Sequence, residues 1–305
     1  MRKFIKIIVG ILATIPLVYV ATFSVASPSL APTKEIKILG ASSEEENQLK
    51  GFANFELSDQ IDTNDIEATS YYVENLSNNS VITKKYSKNP LPIASLTKLM
   101  TAWVTHQYGS FNDEYTITSN DTESISPSLG LVVGDRVKVN DLINSLLIGS
   151  ANDAAVALGG YLESKERKPV QDLMNQEIIN LGLSNSRFQN PIGLDSISNY
   201  ASAEDIAILV KKLEPTGIFE ETSKAQQYNF KSLLNNSYSV SATNKLITKY
   251  QNLYAIKTGF TNTALGSMVN ILQKDDQRYL IIVIGSPDRE GDTVKLMNKV
   301  LELSQ

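Results

Sequence analysis

The stretch Leu253-Tyr254-Ala255-Ile256-Lys257, followed directly by Thr258-Gly259, decides how the rest of the chain is read. Its aliphatic and aromatic residues suit a pleated, half-buried surface, and two similar runs follow closely, Ala264 to Leu272 and Tyr279 to Ile284. Tight turns join these runs, so three strands are predicted, then a helix from Thr293 to Leu303. Near the other end, Ser70-Tyr71-Tyr72-Val73 and Val81-Ile82-Thr83 flank the turn-rich hexapeptide Asn75 to Ser80, which predicts a β-hairpin. Between the two strand regions the period changes. Leu96, Leu99, Met100, Trp103 and Val104 fall at helical spacing, making Ser95 to Tyr108 a buried helix. Further helices are predicted at 139–148, 152–162, 170–181 and 203–213, with Gly- and Asn-rich loops between them. A helix-rich middle framed by strands predicts one mixed α/β (α+β) domain whose antiparallel sheet unites the two ends of the chain.

The composition of the 305 residues narrows the chemistry. With 42% hydrophobic and 20% charged residues, the chain can bury a full core. A net charge of -5 and scattered lysines offer no basic stripe for phosphates, which argues against a nucleic-acid partner. There is no cysteine and one histidine, His106, which removes disulfides, thiol nucleophiles and Cys/His zinc sites; no metal or organic cofactor is expected. His106 lies about three helical turns beyond Ser95 on the same predicted helix, too far to serve it as a base. An activated serine here would depend on a lysine or a carboxylate.

Arg2, Lys3 and Lys6 precede an uncharged stretch from Ile7 to Ala26. That length, about 20 residues, suits a spanning helix better than a signal-peptide core, while Ser24-Val25-Ala26 also offers a small-x-small cleavage site. Residues 1–26 are therefore expected to be a membrane anchor or signal peptide, with the remainder outside the cytoplasm in either case. Residues 27–67 are polar and without sustained period, including the run Ser42-Ser43-Glu44-Glu45-Glu46-Asn47, and are expected to form a tether. The catalytic domain is expected over residues 68–305.

Three short motifs carry the chemistry: Ser95-Leu96-Thr97-Lys98, Ser150-Ala151-Asn152 and Lys257-Thr258-Gly259. The middle one is the least specific, because Ser77-Asn78-Asn79 and Ser110-Phe111-Asn112 fit the same pattern. A serine hydroxyl attacks a carbonyl only when something takes its proton, and a lysine can do so when burial and a second cation bring its pKa toward neutrality. The i,i+3 spacing places the Lys98 amine beside the Ser95 hydroxyl, and Lys257 offers the neighbouring positive charge and attraction for an anionic substrate. At a helix start Ser95 would also lie where free amide groups stabilise an oxyanion, although serine at such a position is equally a common N-cap. Gly259 on a strand lets a ligand approach the backbone, and the strand edge can pair with a peptide.

Taken together these motifs resemble the serine D-Ala-D-Ala carboxypeptidases, low-molecular-mass penicillin-binding proteins of the β-lactamase/transpeptidase-like superfamily. The similarity covers roughly residues 68–305 and extends to Pro92-Ile93-Ala94, Leu99-Met100, Ala151-Asn152-Asp153-Ala154-Ala155-Val156-Ala157-Leu158, Asn190-Pro191-Ile192-Gly193-Leu194 and Ile256 through Thr261. The resemblance implies Ser95 as acylated nucleophile, Lys98 as its base and Ser150 as proton shuttle to the leaving amine. It implies Asn152 on the substrate amide, and Lys257 and Thr258 on the terminal carboxylate or orienting Ser150. Arg289, in Asp288-Arg289-Glu290, would be a further carboxylate ligand, with the amides of Ser95 and Phe260 as oxyanion hole.

Implied partners are peptidoglycan stem peptides and, as covalent inhibitors, β-lactams. The implied location is the extracytoplasmic face of the bacterial membrane, or outside the cell if the N-terminal segment is cleaved. Many relatives have histidine where this chain has Ile192 and Phe260. The sequence also ends after the last predicted helix, without the C-terminal β-domain and amphipathic anchor of many relatives, which favours a retained N-terminal anchor. A DD-endopeptidase would use the same site, and a non-catalytic penicillin- or wall-binding module would keep the fold without turnover. A class A β-lactamase is disfavoured, because no equivalent of its glutamate loop is found between the second and third motifs.

Overall fold

The computed structural model describes residues 63–123 and 126–302. The expected anchor or signal peptide, 1–26, and residues 27–62 of the expected tether lie outside the described residues. Among the described residues, no helix is long and apolar enough to cross a membrane.

The N-terminal hairpin pairs β1 (Ser70–Asn75) with β2 (Ser80–Lys85), and the C-terminal meander consists of β7 (Leu253–Thr261), β8 (Leu265–Lys274) and β9 (Gln277–Ser286). One antiparallel sheet contains all five in the order β2-β1-β9-β8-β7. The two ends of the chain meet where β1 lies along β9, with Tyr72 opposite Ile282. This is the predicted union of the ends. β9 is the central strand and is covered on both faces, which is why Tyr279 to Ile284 reads as a continuous apolar run rather than an alternating one. Leu280, Ile282 and Ile284 join the larger core on the helical side. Tyr279, Ile281 and Val283 join a smaller core with Leu296, Met297 and Val300.

The helices are α1 (Thr97–Tyr108), α2 (Val139–Ile148), α3 (Asn152–Glu166), α4 (Val170–Leu181), α5 (Ala203–Leu213) and α6 (Arg289–Glu302). α6 carries Leu296, Met297 and Val300 against the far face of the sheet. α1 lies within the larger core, and every residue from Thr97 to Thr105 is buried. Its polar groups are accordingly paired: Trp103 Nε1 donates to Glu177 Oε2 at 2.7 Å, and Thr101 Oγ1 donates to the Pro191 carbonyl at 2.7 Å.

Several details differ from the sequence-based expectation; α3 runs on to Glu166 and α6 begins at Arg289. Residues 63–67, expected to belong to the tether, are part of the folded domain: Ile66 is buried, Lys299 pairs with Asp65 at 2.9 Å, and the Glu67 amide donates to Asp292 Oδ1 at 3.1 Å. The α-helix expected from Ser95 starts at Thr97, because residues Ala94–Leu96 form a preceding 3₁₀ turn. Two short antiparallel pairs also occupy regions for which no element is predicted, β3 (Glu114–Thr116) with β4 (Arg136–Lys138), and β5 (Gln227–Lys231) with β6 (Ser237–Ser241). The second has a readable signal, the alternation of Tyr228 and Phe230 with polar residues, but its outward positions are all polar and its apolar content is low.

β6 leans on the residue that ends α2. A Cβ built on Gly149 would stand 2.5 Å from Val240 Cβ, closer than any normal contact. Gly149→Ala is therefore expected to cost about 1–3 kcal/mol through overpacking, lowering the melting temperature by roughly 2–4 °C per kcal/mol in a domain of this size. Adding Val240→Ala should recover part of that loss. Thermal melts of the single and double variants check this, and an equal loss in both would reject the contact.

Candidate active site

The 3₁₀ turn at Ala94–Leu96 places Ser95 at the junction of α1, β7 and the loop 190–194. Ala94 adopts φ 47, a left-handed conformation that costs an L-residue energy and persists only when its surroundings impose it. Two glycines do so. A Cβ on Gly193 would lie 2.1 Å from the Ala94 carbonyl oxygen, and one on Gly259 would lie 2.9 Å from the Ile93 carbonyl oxygen and 3.0 Å from the Ser95 nitrogen. Gly259 is thus required by close backbone packing against the turn that bears Ser95.

Lys98 follows one turn later, and its side chain is fully buried. Its amine contacts Ser95 Oγ at 2.9 Å, Asn152 Oδ1 at 2.8 Å and the Ile192 carbonyl oxygen at 2.6 Å. The last two partners can only accept, so each takes one N–H. A neutral amine has two N–H groups and one lone pair, and its lone pair then faces the Ser95 hydroxyl. Burial lowers the Lys98 pKa to about 7. The expected help from a second cation is not needed for this drop, for which burial is the cause. Lys257 is itself held well below the ordinary lysine value, first by burial and then by the charges of Lys98 and Arg289.

The Ile192 carbonyl is a participant that sequence reasoning missed. It is aimed by Asn190, whose Oδ1 accepts from the amides of Ile192 (3.3 Å), Gly193 (2.7 Å) and Leu194 (3.0 Å). Because the contact to Lys98 is made by the backbone, isoleucine at this position leaves it intact. Asp153 was missed as well: it accepts from the amides of Leu129, Gly130 and Leu131 and from Ser128 Oγ, which fastens the 128–131 loop to the start of α3. The available signal was a lone carboxylate in the first turn of a predicted helix, directly before the apolar run Ala154 to Leu158.

The second motif is positioned by the entry into α3. Ser150 is buried and has φ 59, and the Asn152 amide donates to the Pro127 carbonyl at 2.7 Å. Asn152 reaches Lys98 directly, whereas no hydrogen bond joins the Ser150 hydroxyl to Lys98 or Lys257 in this structure. On β7, Lys257 Nζ donates to the Thr258 carbonyl at 2.9 Å. Arg289, at the start of α6, donates through Nη1 to the Gly259 carbonyl at 2.7 Å and through Nε to Glu290 at 3.1 Å. Phe260 is 62% exposed at the end of the same strand. His106 stays with Trp103 and Phe111, at ring distances of 6.0 and 5.9 Å.

The site thus sets a serine hydroxyl beside a buried lysine amine, with Lys257 on the edge strand β7 and Arg289 at the start of α6 close to it. The sequence pattern of the D-alanyl-D-alanine carboxypeptidases, peptidase family S11, matches residues 57–288. The chain belongs to that family.

As a member of peptidase S11 it is similar to the D-alanyl-D-alanine carboxypeptidase DacF of Bacillus subtilis, with 28% identity over 244 residues, 76% of this chain and 61% of that protein. It is similar also to DacD of Escherichia coli, with 29% identity over 263 residues, 80% of this chain and 65% of that protein. The chain thus spans less than two-thirds of the length of these relatives. Among solved structures, the Streptomyces K15 DD-transpeptidase superposes with a TM-score of 0.73 at 24% identity, covering 78% of this chain and 98% of that one, a likeness of fold. The mixed architecture expected from the sequence is the fold of this family.

Gly259→Ala tests the packing of β7 on the turn that bears Ser95. The variant is expected to remain folded but to lose at least about 10-fold in the rate of Ser95 acylation, since displacements near 1 Å at a reacting centre can cost about 100-fold. Time-resolved mass spectrometry with benzylpenicillin reads the rate. An unchanged rate would mean that the turn absorbs the methyl group.

Proposed function

We propose that this S11 peptidase is a serine D-Ala-D-Ala carboxypeptidase that removes the terminal D-Ala of peptidoglycan stem peptides. The observation that carries the reading is the Ser95 hydroxyl 2.9 Å from a buried lysine amine whose other two partners are pure acceptors. In the proposed reaction Ser95 Oγ attacks the penultimate D-Ala carbonyl carbon as its proton passes to Lys98. The amides of Ser95 and Phe260 hold the oxyanion. Ser150 hands its proton to the leaving D-Ala nitrogen and takes up in its place the proton held by Lys98, the oxyanion collapses as the C–N bond breaks, and an ester to Ser95 remains with Lys98 again neutral. Water, deprotonated by Lys98, then cleaves the ester and returns the proton to Ser95.

Asn152 would hold the substrate amide, and Lys257, Thr258 and Arg289 its terminal carboxylate. The Lys257 pKa is lowered by burial and then by repulsion from Lys98 and Arg289, and a carboxylate placed there offsets the repulsion, so binding and charge are coupled at that position. The contacts of the Lys98 amine are a hydroxyl, an amide and a carbonyl oxygen. None is a carboxylate of the kind a class A β-lactamase uses for deacylation. The basic flank and uncharged stretch of residues 1–26, with the polar residues after them, are proposed to hold this domain at the outer face of the membrane.

Purified protein is expected to release D-Ala from an acyl-D-Ala-D-Ala peptide and to gain the mass of benzylpenicillin, with Ser95→Ala doing neither. Absence of D-Ala release under conditions where an established carboxypeptidase is active would sink the proposal. The pH dependence has a definite sign. Below about 7 Lys98 is an ammonium with no lone pair to receive the serine proton, so acylation should fall about tenfold per pH unit there and level off above it. A profile that is flat between pH 5 and 8 would remove Lys98 from the role of base. Lys98→Ala is expected to slow acylation by about 10²–10⁴-fold, the usual contribution of a positioned general base.

A further inference from the structure

Thr243 lies in the segment after β6, outside all three motifs, yet it touches the third of them and the residue two positions before the second. Its backbone amide donates to the Ile148 carbonyl at 3.1 Å, two residues before Ser150. Its hydroxyl lies 2.6 Å from the Thr258 hydroxyl on β7. It lines one recess together with Ile148, Lys257 and Thr258. The residue thus bridges the end of α2, just before Ser150, and the strand of Lys257.

The direction of the hydroxyl pair matters, since each threonine has one proton and their short contact uses one of the two. If Thr258 donates, the proton of Thr243 has among the described residues only the Ile148 carbonyl as partner, 3.5 Å away and already bonded to the Thr243 amide. If Thr243 donates, Thr258 accepts and its own proton is free to point elsewhere. Lys257 precedes Thr258 on the strand, and Arg289 is docked on the carbonyl of Gly259 just after it. An anion drawn to those cations is the acceptor that makes the second arrangement the better one.

We propose that Thr243 is a positioning residue that donates to Thr258 and so turns the Thr258 proton toward the terminal carboxylate of the substrate. The inference rests on the proposed carboxypeptidase reading, because it assumes that a carboxylate binds beside Thr258. Thr243 does not touch the reacting atoms. It acts by committing one hydroxyl to the role of donor, and it would favour anionic ligands without altering the attack by Ser95.

Acylation rates of the full chain with benzylpenicillin and with benzylpenicillin methyl ester separate these effects, since the ester reacts at the same serine but lacks the anion. Thr243→Val should slow the reaction with the free acid about 10-fold, leave the ester within about 2-fold, and keep its pH profile. Thr243→Ser, which restores the hydroxyl, should bring the acid rate back to within about 2-fold of wild type. In a Thr258→Val background, Thr243→Val should have no further effect, because the relay is already cut. An equal slowing of acid and ester, an unchanged acid rate, or failure of serine to rescue would overturn the inference. Melting curves identify a variant that fails to fold, and Thr243→Ala then serves as the hydroxyl-free variant. If the wild type is acylated by neither compound, the carboxypeptidase reading falls and this inference with it, whereas normal wild-type acylation with any overturning result above leaves that reading standing.

Discussion

The buried amine of Lys98 is the constraint on which the arrangement of the site depends. Its contacts come from three separate parts of the chain: Ser95 on the turn before α1, Asn152 at the start of α3, and the Ile192 carbonyl in the 190–194 loop. An amine removed from water must have its hydrogen-bonding capacity met inside, so these segments converge or the burial is not tolerated. The same burial lowers the pKa to about 7 and makes a lysine usable as a base. Packing and chemistry are therefore one requirement here. The sequence supplies no histidine at the site to relieve it.

Backbone strain is concentrated in the same region. Ala94 precedes Ser95 at φ 47 and Ser150 opens the second motif at φ 59, both conformations that L-residues rarely adopt. Each is imposed from outside. The Ala94 turn is pressed by Gly193 and Gly259, which approach to distances that forbid a side chain, and the loop of Ser150 lies beside Gly149 against Val240. The strand and helix network beyond the site, including the long-range pairing of β1 with β9, supplies the rigidity that sustains these conformations.

Most secondary structure was legible because its period was strong. Helices α2, α4 and α5 coincide with the apolar periodicity at 139–148, 170–181 and 203–213. The meander strands were placed correctly but read short, since Phe260 and Thr261 extend β7 with exposed or polar residues that carry no burial signal. The β5–β6 hairpin was missed because residues such as Gln227, Asn229 and Lys231 face outward, leaving only Tyr228 and Phe230 to mark it. Ile66 was assigned to the tether because a single apolar residue among polar neighbours has no period; its burial beside α6 is a contact across more than two hundred positions.

What the sequence by itself determined is the inventory and its local spacing: Ser95 and Lys98 one helical turn apart, Lys257-Thr258-Gly259 on a strand, and strands at both ends of a helical middle. Such information is local, because the spacing of neighbours on a helix or strand follows from backbone geometry alone. Tertiary structure alone decided that the Ile192 carbonyl and Asn152 complete the surroundings of Lys98, that Gly259 is packed against the Ser95 turn, and that Thr243 meets Thr258. Those relations involve carbonyl oxygens, missing Cβ atoms and hydroxyl directions. They have no side-chain signature at a fixed distance in the chain, and they arise only when separate segments are brought together by burial.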